Sequence, residues 1–302
     1  MQVVVKINGG LGNQMFQYAA GRATSLRFNS VLQIETIFFK DILNEGEHKR
    51  QYQLNIFPNI AALDLQEISP KNRHKQKKYI NSSIYKAENS LRGKLGIKLA
   101  YQHIWEKNLL TYDPSFQQSN KKAHLTYLIG DWQNEQYFES VAAIIRNDFS
   151  FPTIESGSLN ADILSQIYAS EAVAVHVRRG DYLLPGIHSP VSPAYYQEAL
   201  SLIRSKVASP KFFVFSDDIN WCRANLGLAD ACFVEHNTGT NNYRDMQLMS
   251  SCKHNIIANS SFSWWGAWLN NNPTKIVIAP SMWMPTQAVE SSRVVPLSWI
   301  TL

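Results

Sequence analysis

The chain has 302 residues, 45% of them hydrophobic, and a formal net charge of +5. That length suits two medium domains or one large one, and the apolar share is ample for a packed core. No stretch approaches the ~18 apolar residues of a spanning helix, and the start MQVVVKINGG lacks the regions of a signal peptide. Cys222, Cys232 and Cys252 are odd in number and match no zinc spacing, so a soluble cytoplasmic protein with buried thiols is expected.

The first 36 residues read as strand, helix, strand: QVVVKI, a glycine turn NGGLGNQ, a periodic helix through MFQYAAGRATSLRF, then VLQIE. This start predicts an α/β fold with a mostly parallel sheet. The turn invites a dinucleotide reading, an NAD(P)-type oxidoreductase with Glu35 as the ribose acid. The fingerprint fails at its third glycine, because Gly10 and Gly12 are followed by Met15, too bulky for close helix–strand packing. What stays is that the backbone near Gly12, and the Asn13 side chain, can approach an anion.

Residues 37 to 125 give mixed helical pieces and one basic run, KNRHKQKKY at 71 to 79. Such a run is usually a solvated face; the other readings are a polyanion-binding module, an anionic membrane surface or a charged substrate. No nucleic-acid motif surrounds it. YLIGDWQNEQYF, 127 to 138, reads as a short strand entering a polar aromatic loop, and FSFPTIESGSLN, 149 to 160, is the candidate linker.

Three strand-then-loop units follow: AVAVHV with RRGDY, KFFVF with SDD, and HNIIA with NSSFS. Ligands of open α/β sheets bind at that carboxyl edge, so 160 to 285 reads as a second α/β domain whose strand ends converge on one ligand. If the first strand persists through Arg178, alternation puts His176 and Arg178 on one face, with Val175, Val177 and Arg179 on the other. A guanidinium fits phosphate bidentately and keeps its charge, so Arg178 is the expected diphosphate ligand. Arg179 then fastens the loop, with Asp181 as its partner. Ser216, Asp217 and Asp218 make a helix start. No Asp-x-Asp or spaced histidine pair suggests a metal. Asp245, beside methionines and a leucine on a predicted helix, offers a carboxylate for the two N–H groups of guanine. Asn259, Ser260 and Ser261 open a helix, as an anion site or a plain N-cap. Phe262, Trp265 and Leu269 recur at helical spacing and read as core; Trp264 has no assigned place.

GGLGNQMFQYAAGRA, GDWQNEQYF, HVRRGDY, FSDD and NSSFSWWGAWL, running from residue 9 to 269, together resemble the motif series of the bacterial and animal α-1,2-fucosyltransferases. The resemblance implies an inverting, metal-independent glycosyltransferase of the GT-B type, with two Rossmann-like domains facing across a cleft. An acceptor-side domain would span 1–155 and a GDP-fucose-binding domain 156–302, its last segment packing back on the first. The reaction implied is transfer of L-fucose from GDP-β-L-fucose to the 2-hydroxyl of a terminal β-galactoside, in surface polysaccharide or O-antigen biosynthesis. No cofactor and no nucleic acid are implied, and membrane contact is at most peripheral, with room for a lipid-linked acceptor. Carried across, His176 and Asp245 lie near guanine, Arg178 on the β-phosphate, and Ser260 and Ser261 around the diphosphate. Arg179, Asp217, Asp218, Asn259 and Phe262 complete that nucleotide site, and Gly12 and Asn13 face the same phosphate.

An inverting step also wants a general base for the acceptor hydroxyl. Some more distant fucosyltransferases have a glutamate past the RRxD motif, whereas this loop reads YLLPGIHSP, with His188 its only titratable side chain. The base stays open among Asp181, His188, Glu135 and Asp131, beside a loose path that needs little base help. The acceptor is expected between the domains, over Trp132 and Tyr137 as stacking rings; the same rings read equally as core.

Overall fold

The computed structural model describes residues 2–40, 50–80, 101–107, 111–117, 124–183, 189–284, 287–288 and 294–302. They form two units. The first gathers Met1–Gly9, Asn13–Trp132 and Gln136–Phe149, and the second Gly10–Gly12, Gln133–Glu135 and Ser150–Leu302.

In the first unit the valine run becomes β1, Gln2–Lys6, and its three valines are fully buried. Strand β1 is followed by helix α1, Leu11–Phe28, and by β2, Val31–Glu35, as the opening pattern predicts. Strands β3 (Gln66–Glu67), β4 (Tyr101–Trp105) and β5 (Leu125–Ile129) complete a sheet ordered β3-β2-β1-β5-β4. Every pairing in it is parallel, which suits a central strand that is apolar on both faces. The close helix–strand approach that Met15 denies is made six residues later. A Cβ added to Gly21 would fall 2.9 Å from Val5 Cγ1 and 3.1 Å from Leu32 Cδ1, so only glycine lets α1 lie this near β1 and β2.

Two short helices follow β2, α2 (Pro58–Ala61) and α3 (Pro70–Ile80), the second built from the basic run. Glu35 is no ribose acid here: it is 4% exposed and paired with Arg73 of α3, Nε to Oε1 at 3.8 Å. One cation of the run thus closes onto β2, while Lys71, His74 and Lys78 are exposed. Helix α4, Ala142–Asp148, ends on a buried carboxylate that accepts from Tyr18 Oη at 2.8 Å and Arg22 Nε at 3.0 Å.

The second unit alternates α5 (Leu159–Tyr168), β6 (Glu171–Val177), α6 (Pro193–Lys206), β7 (Pro210–Ser216), α7 (Ile219–Asn225), β8 (Cys232–Val234) and α8 (Tyr243–Ser251). Then come β9 (His254–Ile256), α9 (Ser261–Leu269), β10 (Val277–Ala279), an antiparallel pair β11 (Met282–Met284) and β12 (Gln287–Ala288), and β13 (Ile300–Thr301). The main sheet runs β13-β10-β9-β6-β7-β8, all parallel. Alternation along β6 is visible in its packing. Val173, Val175 and Val177 pack with Ala199, Leu200 and Ile203 of α6, whereas Ala172 and Ala174 pack with Ile163, Ile167 and Leu248 on the opposite face.

Helix α9 is buried on nearly every side, the mark of a core helix. Trp264 finds its place there: it is 0% exposed, its indole N–H donates to Val294 O at 2.8 Å, and its ring stacks on Trp268. Cys222 and Cys252 are buried free thiols, and burial pushes Cys222 up to about 11. No helix among the described residues is long and apolar enough to cross a membrane.

Candidate active site

Strand β6 ends at Val177, so Arg178 leaves the sheet instead of extending its alternation. His176 keeps the expected face, its ring 5.7 Å from that of Phe262. Arg178 is held by two carboxylates: Nη2 lies 2.7 Å from Asp181 Oδ1 and Nη1 2.9 Å from Asp217 Oδ2. Its Cζ sits 5.7 Å from the centre of the Tyr182 ring. The expected Arg179–Asp181 pair is therefore corrected. Asp181 holds Arg178, while Arg179 turns to α7, pairing with Asp218 Oδ2 at 3.1 Å over the Trp221 ring at 4.4 Å.

The two aspartates after β7 divide their work. Asp218 is the N-cap of α7, accepting from Trp221 N at 3.0 Å. Asp217 turns back and accepts from Arg179 N at 2.9 Å as well as from Arg178. Gly180 makes that possible, because a Cβ there would fall 2.6 Å from Asp217 Oδ2. A guanidinium has five donors, so two carboxylates can orient it and leave N–H groups for a ligand.

The start of α9 joins this cluster through Tyr182, a residue within the quoted motif to which no sequence feature gave a role. Its hydroxyl donates to Asn259 O at 3.1 Å, and burial pushes its pKa up to about 12, so it stays a neutral donor. Ser260 is the N-cap of α9. The amide nitrogen of Asn259 is committed to structure: Nδ2 donates to Ser189 O at 3.1 Å and Trp283 O at 3.2 Å. Gly12 touches the first turn of α9 directly, and Trp265 Nε1 donates to Gly12 O at 3.0 Å. Ser261 and Phe262 form that first turn.

His176 is 5% exposed, and burial, with Arg178 as the second cause, pulls its pKa down to about 3. It is a neutral imidazole, and its buried Nδ1 has no hydrogen-bond partner among the described residues. Asp245 opens α8 and accepts from Asn237 Nδ2 at 2.8 Å. Burial pushes its carboxyl up to about 7.

The aromatic loop of the first unit is core, not a sugar platform. Trp132 and Tyr137 are each 1% exposed, pack edge-on at 5.1 Å and both touch Phe116. Rings with no exposed face have none to offer a sugar. The turn before them is clamped by Glu106, which nothing in the sequence flagged. It accepts from Asp131 N at 2.7 Å and Trp132 N at 3.2 Å, and burial pushes it up to about 7. Gly130 admits it, since a Cβ there would lie 2.4 Å from Glu106 Cβ. Trp132 completes the turn with φ +56°.

The candidate bases meet different fates. Asp181 is engaged by Arg178, its Oδ1 2.7 Å from Nη2. Glu135 Oε2 accepts from Trp268 Nε1 at 3.1 Å, and Asp131 Oδ1 accepts from Gln17 Nε2 at 3.3 Å. His188 lies outside the described residues. Asn13 stands in the first turn of α1, in the first unit. Among the described residues no three His, Cys, Asp or Glu side chains group to hold a metal ion.

Residues 2–302 match the family described as Glycosyl transferase family 11. Similarity to the alpha-1,2-colitosyltransferase of Escherichia coli reaches 33% identity, covering 99% of this chain and 98% of that one. The O-antigen biosynthesis glycosyltransferase WbnK of Escherichia coli is 29% identical over 98% of this chain and 99% of its own. A galactoside 2-alpha-L-fucosyltransferase of Bos taurus is 36% identical, over 35% of this chain and 30% of its own. Among solved structures, an Arabidopsis thaliana FUT1 mutant in complex with GDP superposes with a TM-score of 0.51 at 14% identity, covering 91% of this chain and 69% of that one. That likeness concerns the fold, two parallel α/β sheets of the GT-B type.

Proposed function

The chain belongs to glycosyl transferase family 11, and on that premise we propose that it transfers L-fucose from GDP-β-L-fucose to the 2-hydroxyl of a terminal β-galactoside, with inversion. The observation that carries this is Arg178, fixed by Asp181 and Asp217 at the carboxyl end of β6 and joined through Tyr182 to the start of α9. When the bond from the sugar's C1 to the β-phosphate oxygen breaks, negative charge develops on GDP. The oriented guanidinium and the first-turn amides of α9 neutralise it without reorganising. Guanine falls to His176 and Asp245, so the second unit is the donor side. The names of the relatives, with their 1,2-linkages and an O-antigen pathway, support the linkage and a role in surface polysaccharide synthesis. A second donor, a colitosyl nucleotide, is favoured by the 33% identity to the colitosyltransferase.

Incubation with GDP-fucose and lactose, N-acetyllactosamine or galactosyl-N-acetylgalactosamine, with and without EDTA, tests the reading. The expected product carries α-1,2-linked fucose by NMR and forms equally in EDTA. Thermal stabilisation by NAD(P)H and not by GDP would overturn it.

Asp245 gives a pH prediction. Accepting two guanine N–H groups requires the anion, so GDP affinity is expected to weaken as pH falls below about 7. In calorimetry this dependence flattens in Asp245→Asn, whose affinity is low throughout. Stability moves the other way. The folded pKa lies above the unfolded one, so the wild type loses stability as pH rises from the unfolded value toward about 7. The shift caps that loss at about 4 kcal/mol. Without GDP, Asp245→Asn therefore melts above the wild type at pH 8, and the gap closes near pH 4; a pH-independent gap would refute the buried anion.

A further inference from the structure

We propose that a cavity beside Asn259 in the second unit binds one saccharide residue of the acceptor glycan, the neighbour of the galactose that is modified; this rests on the transferase reading above. The cavity has a volume of about 400 Å³, within the ~300–1,000 Å³ of small-ligand sites. Its walls come from segments that the parallel sheet delivers to one edge: Ser189 to Tyr195 around the start of α6, Glu198 a turn later, Asn259 after β9, and Pro280 to Met284 after β10.

The wall chemistry selects the ligand class. Among the described residues no Lys or Arg lines the cavity, and Glu198 does, so its wall gives a phosphate no positive partner. Hydroxyls, an amide and a carboxylate alternate there with Val191, Met282 and Met284. A neutral ring with hydroxyls to donate and C–H faces to bury fits that mixture, and Met282, 45% exposed, gains the most cover. The nucleotide does not compete for the place. Helix α6 packs on the sheet face carrying Val173, Val175 and Val177, whereas Phe262, which faces His176, packs on the other.

Asn259 supplies an independent observation. It is 4% exposed, its Nδ2 is used by two backbone carbonyls, and its buried Oδ1 has no hydrogen-bond partner among the described residues. The two carbonyls decide the orientation of the amide, since Oδ1 in that place would face two acceptors. Asn259 Oδ1 is closed off from the cavity as its wall stands, so a sugar hydroxyl donates to it with a small movement of that wall. The same residue ties the cavity to the reacting centre, because its carbonyl accepts from Tyr182 Oη, whose ring carries Arg178.

The test compares one-sugar and two-sugar acceptors in Ala194→Trp, which fills the cavity from an exposed position in the first turn of α6. With GDP-fucose, the wild type is expected to use N-acetyllactosamine or galactosyl-N-acetylgalactosamine with kcat/KM at least about tenfold above methyl β-galactopyranoside. The variant should lose that advantage while its kcat/KM for the methyl galactoside and its KM for GDP-fucose stay unchanged. Glu198→Gln, isosteric and on the surface, should lose part of the same advantage if the tryptophan variant does not fold. A wild type without the advantage, or a variant that lowers both acceptors alike or neither, overturns the proposal. If no acceptor is turned over at all, it is the transferase reading that fails. The cavity is then judged by saturation-transfer NMR with the same disaccharides, where binding that Ala194→Trp leaves intact, or no binding, overturns it.

Discussion

Replacing Arg178 with lysine is expected to lower kcat for fucosyl transfer about 100- to 1,000-fold, the usual loss for one preorganised donor at a developing anion. The charge survives the change, so the loss measures geometry. In the native site one terminal nitrogen meets Asp181 and the other Asp217, at 2.7 and 2.9 Å. The planar fork can satisfy both carboxylates and still present N–H groups to the departing diphosphate. An ammonium has one nitrogen, and between two carboxylates it settles toward one of them. The effect should fall on kcat more than on the KM for GDP-fucose, because the interaction strengthens as charge develops. Activity within a few-fold of the wild type would refute the role of Arg178. Asp217→Asn should act in the same direction and more weakly, since it loosens the guanidinium without removing it.

Much of this arrangement could be read from the residues. Strand β6 and its neighbours were legible because each ends in a polar cluster where a helix begins, and α/β sheets place their ligands there. Asp218 was legible as a helix start because capping is local, a carboxylate and an amide three residues apart. Asp217 was not, since its partners Arg178 and Arg179 are nearly forty residues away in sequence and meet it only across the pairing of β6 with β7. Asp181 was misassigned for a local reason: it lies within three residues of both arginines, and only the end of the strand at Val177 decides which one it holds. Trp132 and Tyr137 illustrate another limit. An aromatic residue in a polar loop has the same spacing whether it stacks on a sugar or fills the core, and burial against Phe116 settles it as core. Glu106 left no signal because its function is to accept two backbone amides, a role open to any carboxylate that fits beside a glycine.

Gly12→Ala is expected to destabilise the protein by about 1–3 kcal/mol, the range for overpacking, and to depress transfer in the molecules that fold. The added Cβ would stand 2.5 Å from Ser261 C and 2.6 Å from Phe262 N, backbone atoms that no rotamer can move. Relief requires the first turn of α9 to shift, and with it Ser260, Ser261 and the amides assigned to the diphosphate. Backbone torsion is not the cause, because Gly12 lies within α1 and its φ is not positive. Gly157 separates the two kinds of cost. Its φ is +77° with nothing within 4 Å of an added Cβ, so Gly157→Ala carries only the left-handed strain of ~1–2 kcal/mol. Both variants should therefore melt below the wild type, but kcat per folded molecule and GDP affinity should fall in Gly12→Ala alone. Equal catalysis in the two variants would mean that the α9 turn does not hold the diphosphate.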